Sequence, residues 1–164
     1  DKVVPLDGSF RPGTEPTLLR YHTLERTLRI GPLVCYEDIF PGLARSSVNA
    51  GADILFVATN NAWFGEGAGA WQHAAHSVLR AVETRRPVML AGNGGWSGWI
   101  DDHGHIRHIT LDRDGSIYFR GVDTAEITRS RNWVRELSFY VRFGDWFVLV
   151  SAMLCWPFVR AFKK

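Results

Sequence analysis

Cysteine is scarce in this sequence: there are two, Cys35 and Cys155, in 164 residues. That excludes a scaffold held by a disulfide framework. Cys155 sits in an apolar tail unlike the surroundings of Cys35, so no bridge between them is expected. An excess of one charge is also lacking. The formal net charge of +2 gives no electrostatic footprint for a nucleic-acid partner. There is no internal repeat and no low-complexity tract. Neither an initiator methionine nor a signal peptide opens the chain, and Asp1-Lys2-Val3-Val4-Pro5 reads as the middle of something, so a fragment is expected. Long apolar runs are few. The most extended, Trp146–Val159, carries no charge but falls short of the ~20 residues that span a bilayer.

What is present is enough chain for one compact domain with a real core. Aromatic residues gather around positions 63–99 and in the last third. Residues 1–17, rich in proline, glycine and charge, form a loop. Leu18–Ile30 alternates roughly and predicts a strand or hairpin feeding a strand over Leu33–Cys35. A short helix is predicted over Gly42–Asn49, with Leu43, Ala44 and Val48 on one side and Gly51 ending it. Ile54–Ala58 is apolar throughout, which predicts a strand covered on both faces. Trp71, Ala74, Ala75, Val78, Leu79 and Val82 form one stripe of an amphipathic helix, stopped at Arg85-Arg86-Pro87. Val88–Ala91 is a further strand, Asn93-Gly94-Gly95-Trp96 a tight loop, and Trp99-Ile100 a strand entering a turn. Asp114-Gly115 predicts a hairpin with arms Ile109–Leu111 and Ile117–Val122. Strand, helix, strand, helix, strand and then hairpins make an α/β layered domain with helices outside.

The chain is organised around Gly31–Pro41, where an apolar strand delivers Cys35 and is followed at once by Tyr36, Glu37, Asp38 and a helix-starting proline. A strand end of this kind presents a nucleophile, and thiol chemistry needs a thiolate with fixed N–H groups near it. The competing reading is a small buried hydrophobe, and both stay open on position alone. Glu37 and Asp38 either tune that sulfur or an incoming amine, or cap the helix near Pro41; capping is the reading adopted for Asp38. Thr59–Gly65 lies at the C-terminal end of a strand, where ligands sit in open sheets. There Trp63 and Phe64 line a path for an apolar chain or belong to the core. Asn93, at another strand end, orients substrate or holds its turn. His73 and His76 have a metal-compatible spacing without a carboxylate motif, and His103, His105 and His108 lie on a turn, so no metal is expected at either. Arg142 reads as an interfacial anchor in preference to a headgroup contact.

The tail has two readings from pattern alone, a membrane helix or a buried C-terminal core helix. In the first, Arg160 snorkels and extends the span through Phe162. Tryptophans then sit at the interface, and Arg160–Lys164 lies on the cytoplasmic side.

Three blocks together carry a resemblance. They are Val34–Pro41; Thr59–Gly65 with Trp71-Gln72-His73, Arg80–Glu83 and Arg86-Pro87; and Phe139–Trp146 running into the tail. They resemble the carbon–nitrogen hydrolase (nitrilase) superfamily and, within it, the membrane-bound apolipoprotein N-acyltransferases. The resemblance runs over nearly all of the chain from about residue 30. It implies a nitrilase-like αββα sandwich, present in part, followed by a C-terminal transmembrane helix. The corresponding division is residues 1–135 as the C-terminal part of the hydrolase domain, 136–145 as a juxtamembrane segment and 146–164 as the membrane helix with a short basic tail. It implies a catalytic Cys35 supported by Tyr36, whose N–H would face an oxyanion, and Glu37. Substrate would be bound around Asn60, Trp63, Phe64 and Asn93. The activity implied is acyl transfer from a phospholipid, through a cysteine thioester, to the N-terminal diacylated cysteine of a lipoprotein, with no cofactor and no metal. Its site would be the periplasmic face of a bacterial inner membrane. The family's triad glutamate belongs upstream of this chain. Its lysine falls just before Asp1 if Val3-Val4-Pro5 fits the family's motif, with Lys2 two positions off. The isolated chain is therefore expected not to turn over. Two other readings remain: an amidase acting on small C–N substrates, in which Trp146–Phe162 packs inside the domain, and a non-catalytic membrane-tethered remnant.

Overall fold

The computed structural model describes residues 13–24, 26–133 and 136–161. Lys2, Val3-Val4-Pro5 and the basic end Phe162-Lys163-Lys164 lie outside them, as does the side chain of Arg160. Six strands form one sheet in sequence order: β1 (Leu19–His22), β2 (Thr27–Val34), β3 (Ile54–Asn60), β4 (Val88–Asn93), β5 (Gly98–Ile100) and β6 (Ile106–Ile109). β2, β3 and β4 are parallel, and the outer pairs are antiparallel. Parallel neighbours need crossovers, and these are α1 (Pro41–Asn49) and α2 (Gly69–Thr84), which pack against one another. Pro41 opens α1 as expected of a residue whose missing N–H costs nothing there.

The core lies between these helices and the sheet. Leu33, Leu55, Val57, Val88 and Leu90 meet Ala44, Val48, Ala74 and Ala81. Small residues dominate the helix side, so the layers approach closely. At Gly31 a Cβ would come within 2.9 Å of Ser47 Cβ, so only glycine lets β2 reach α1. Along β3, Leu55, Val57 and Thr59 are buried while Ala58 and Asn60 are exposed. The all-apolar run over Ile54–Ala58 is therefore covered fully on one face only, which corrects the expectation of two. Over the other face runs the coil 121–127, leaving a groove of about 340 Å³ against Phe56, Met89 and Trp99.

Two further expectations change. The turn at Asp112–Gly115 forms, but Ile117–Val122 is not a strand. β6 pairs instead with β5, through a turn over 101–105. That turn is built on Asp101, whose carboxyl accepts the N–H groups of His103 and His105 (both 2.9 Å) and Nε of Arg107 (2.6 Å). A side chain that accepts two N–H groups of its own turn outweighs the dipeptide signal further on. The predicted helix stripe is buried only in part: Ala74 is in the core and Val78 packs against it, but Trp71, Leu79 and Val82 are exposed, as is Leu43 on α1. The buried face of α2 is Ala70, His73, Ala74, Ser77, Arg80, Ala81 and Thr84, which shares only Ala74 with that stripe.

After a coil, Ser138 caps the short α3 (Phe139–Phe143) by accepting the Val141 N–H, and Arg45 of α1 donates to the Val141 carbonyl at 2.9 Å. The last helix, α4 (Trp146–Ala161), has 16 residues, about 24 Å at 1.5 Å per residue. Among the described residues no helix is long and apolar enough to cross a membrane, so the expected span over 146–164 is not met by them. Nor is α4 a buried core helix, because Phe147–Val150 and Ala152–Trp156 are exposed.

Burial pushes the Asp101 carboxyl up, but the N–H groups of His105 and His103 and the Arg107 guanidinium outweigh it and hold it at about 2. A carboxyl lowered on folding from an unfolded value of about 3.9 stabilises above that value and loses its contribution as pH falls through about 4 to 2. Thermal unfolding of Asp101→Asn and the unaltered protein across this window is the check. The variant is expected to melt lower at neutral pH and to lose less on acidification, and equal pH slopes would contradict the assignment.

Candidate active site

β2 ends at Val34, and the next residue, Cys35, turns into a 3₁₀ segment over Cys35–Ile39. Cys35 takes φ +53°, a left-handed conformation in which a residue with a Cβ is strained. The strain reverses the chain at the C-terminal edge of the parallel strands and leaves the cysteine half-buried and free of any disulfide. Glu37 returns its carboxylate to the Val34 N–H at 2.8 Å, closing the turn on itself.

Asp38 fixes this turn to the rest of the fold. Its side chain is fully buried and caps nothing at Pro41, contrary to expectation; α1 begins after Phe40 with no side-chain cap. Oδ1 instead lies 2.8 Å from Nε2 of His73, and Oδ2 accepts from Ser77 Oγ at 2.6 Å. Arg80 donates through Nη1 to the carbonyls of Asp38 and Ile39 at 3.1 and 3.0 Å, while its Nη2 meets Glu83 at 2.9 Å. A buried carboxyl is tolerable only when its lone pairs are met in this way. α2 therefore turns its polar face inward. His73 is buried too. Its Nδ1 lies 2.9 Å from Oδ1 of Asn61, and the Tyr36 ring stacks on it at 4.7 Å between centroids. The pair His73 and His76 is thus not a ligand set, because both nitrogens of His73 are engaged.

From Asn61 the network reaches the sulfur. Thr59 Oγ1 lies 3.4 Å from Asn61 Oδ1 and 3.5 Å from Cys35 Sγ. Asn61 fits because Gly95 has no side chain: a Cβ there would come within 2.7 Å of Asn61 Cβ. Asn60 and Asn93, partners in register on β3 and β4, join by Asn93 Nδ2 donating to Asn60 Oδ1 at 3.1 Å. Trp63 is 81 % exposed, so it is not core, and Phe64 meets the Tyr36 ring edge-on at 6.0 Å. Two clefts flank the site. One of about 660 Å³ is walled by Ala62, Gly65, Asn93, Tyr118 and Arg120 among others; one of about 400 Å³ by Val34, Glu37 and Leu43 with residues 13–17. Cys35 is in the wall of neither. Arg142 is exposed, and its carbonyl accepts from Arg45.

The three imidazoles near the β5–β6 turn each face an acid: His103 faces Asp102, His105 faces Asp101 and His108 faces Asp123. Asp101, Asp102 and His103 bring ligand atoms within 4.8 Å of one another. Asp101 already accepts backbone N–H groups of the turn, and Asp102 accepts the N–H of Ser130 in the later coil.

Residues 7–121 match the family described as carbon-nitrogen hydrolase. The chain belongs to that family. Curated relatives are named apolipoprotein N-acyltransferase. The one from Geobacter metallireducens is 39% identical over 147 residues, covering 90% of this chain and 26% of the relative. That from Thermotoga maritima is 34% identical over 126 residues, covering 74% and 22%. The chain thus spans about a quarter of the length of these relatives. Among solved structures, an amidase from Nesterenkonia sp. AN1, carrying acrylamide added at its active-site cysteine, superposes with a TM-score of 0.50 at 23% identity. The match covers 62% of this chain and 41% of the amidase. It shows the nitrilase-like α/β fold with its mixed sheet.

Position relative to a strand end singles out Cys35 and the segment Thr59–Gly65 in the sequence of this carbon–nitrogen hydrolase, but not the inward-facing Ser77 and Arg80. The available signal was the polar row His73, Ser77, Arg80 and Thr84, spaced 4, 3 and 4 residues apart on one helix face. Replacing Arg80 by Met is expected to cost about 3 kcal/mol, because two buried carbonyls and Glu83 lose their donor. Urea unfolding measures this, and a loss under about 0.5 kcal/mol, the level of an ordinary surface change, would contradict the role given to Arg80.

Proposed function

We propose that this chain carries the nucleophile of an N-acyltransferase. In this reading the Cys35 thiolate attacks the ester carbonyl of a phospholipid, the C–O bond breaks, and the lysophospholipid leaves with a proton. The resulting thioester is then attacked by the α-amino group of the N-terminal diacylglyceryl-cysteine of a lipoprotein. The amide forms and the thiol is restored. The observation that carries the reading is the position of Cys35: a strained, half-exposed turn at the C-terminal edge of parallel strands, within a sequence whose curated relatives bear this activity in their names. Tyr36 N–H is an oxyanion donor in this proposal, and Asn60, Trp63, Phe64 and Asn93 border the substrate. The glutamate and lysine that complete the family's triad are assigned to sequence upstream.

The α4 helix supports a membrane setting. A helix that is apolar all round is stable where water is excluded, and Phe147, Leu149, Met153 and Leu154 are exposed among the described residues. In this proposal α4 enters the bilayer, the residues from Arg160 onward lie at the cytoplasmic surface, and the catalytic domain faces the periplasm. The same exposure weighs against the amidase reading, which requires this segment to pack inside.

The test uses the complete gene product with a labelled phospholipid. Unaltered protein is expected to form a hydroxylamine-sensitive acyl-enzyme, and Cys35→Ala none. Normal acyl transfer by Cys35→Ala would overturn the assignment.

A further inference from the structure

The mechanism so far leaves one polar group on the reacting atom without a role. Thr59 is 9 % exposed, near the end of β3, and its hydroxyl has one proton and two acceptors in reach. These are Cys35 Sγ at 3.5 Å and Asn61 Oδ1 at 3.4 Å. The distances are similar but the acceptors are not. An O–H···O bond is best near 2.7–2.8 Å, so ~3.4 Å is a weak one. Sulfur is a larger atom, and 3.5 Å is an ordinary separation for it. Asn61 Oδ1 is also committed to His73 Nδ1 at 2.9 Å. The hydroxyl proton therefore has its better partner in the sulfur, and most of all when that sulfur is charged.

We infer that Thr59 is a further catalytic residue, whose hydroxyl donates a hydrogen bond to the Cys35 thiolate. The inference rests on Cys35 being the nucleophile. With the thiol protonated, the same pair is satisfied in reverse, S–H donating to Thr59 Oγ1. No proton has to leave the pair for the contact to persist. Asn61, His73 and Asp38 are positioning residues for it. They hold the segment after β3 against the turn after β2, so the hydroxyl and the sulfur stay in register across two elements. A hydrogen bond to the thiolate favours its formation before attack and its departure when the thioester is broken.

The test is alkylation of the complete gene product by iodoacetamide at pH 7, with each cysteine followed by peptide mass mapping. The thiolate is the reacting form, so the Cys35 rate reports its population. Thr59→Val is expected to slow Cys35 roughly tenfold, as loss of a hydrogen bond to a charged group does. Thr59→Ser, which keeps the hydroxyl, is expected to stay within about twofold of the unaltered rate. A small-molecule thiol added to the same reaction serves as the reference and is expected not to change. Thr59→Ala, which adds no atom, takes the place of Thr59→Val should the latter fail to fold. An unchanged Cys35 rate in the variant without hydroxyl, or a Thr59→Ser rate as slow as that variant's, overturns the inference. Slowed alkylation in a protein that forms no acyl-enzyme overturns the acyl-transfer reading and supports the contact.

Discussion

The structure around Cys35 depends on one buried carboxyl. Asp38 has no exposed surface, and among the described residues its carboxyl is met by His73 and Ser77 of α2. The cost of burying such a group without partners is several kcal/mol, comparable to the whole stability of a domain. The arrangement is therefore strongly selective. Any packing of α2 that withdraws His73, Ser77 or Arg80 leaves polar groups unmet inside the protein. The helix cannot rotate to bury its apolar stripe without that penalty, and Trp71 and Leu79 remain at the surface as a result.

The same constraint explains how a strained residue is held. Cys35 with φ +53° persists because the chain on both sides of it is pinned. Glu37 returns to the Val34 N–H, and Asp38 and Ile39 are tied to α2 through Arg80. The sulfur then has a fixed place relative to the ends of β3 and β4, where Thr59, Asn60 and Asn93 lie. Sequence separations of 24 residues from Cys35 to Thr59 and 35 from Asp38 to His73 are thus closed by hydrogen bonds rather than by loop length.

The sequence made the layered α/β order legible because short apolar runs between turn residues identify strands and crossovers directly. β1–β2, β3, β4 and both crossover helices follow from that pattern. It failed where a polar side chain sets the structure. Asp38 resembled a cap because its neighbour is a helix-starting proline; its true partners lie 35 and 39 residues away and leave no local mark. The apolar row of α2 looked like a core face because hydrophobicity counts for more than polar periodicity in such a reading. Asp114-Gly115 suggested a hairpin, yet Asp101 had already supplied the turn that ends the sheet. The candidate nucleophile was visible, while the network around it was not. For α4 the apolar character was plain, and its exposure is what directs it toward a bilayer in the proposed reading.

A double-mutant cycle between Asp38 and His73, read by urea unfolding, tests the central claim most directly. Asp38→Ala, His73→Ala and the double variant are compared with the unaltered protein. If the turn is held through this pair, the two losses fall short of additivity by about 2 kcal/mol. Losses that add within about 0.5 kcal/mol would mean the two side chains act independently, and would contradict the account.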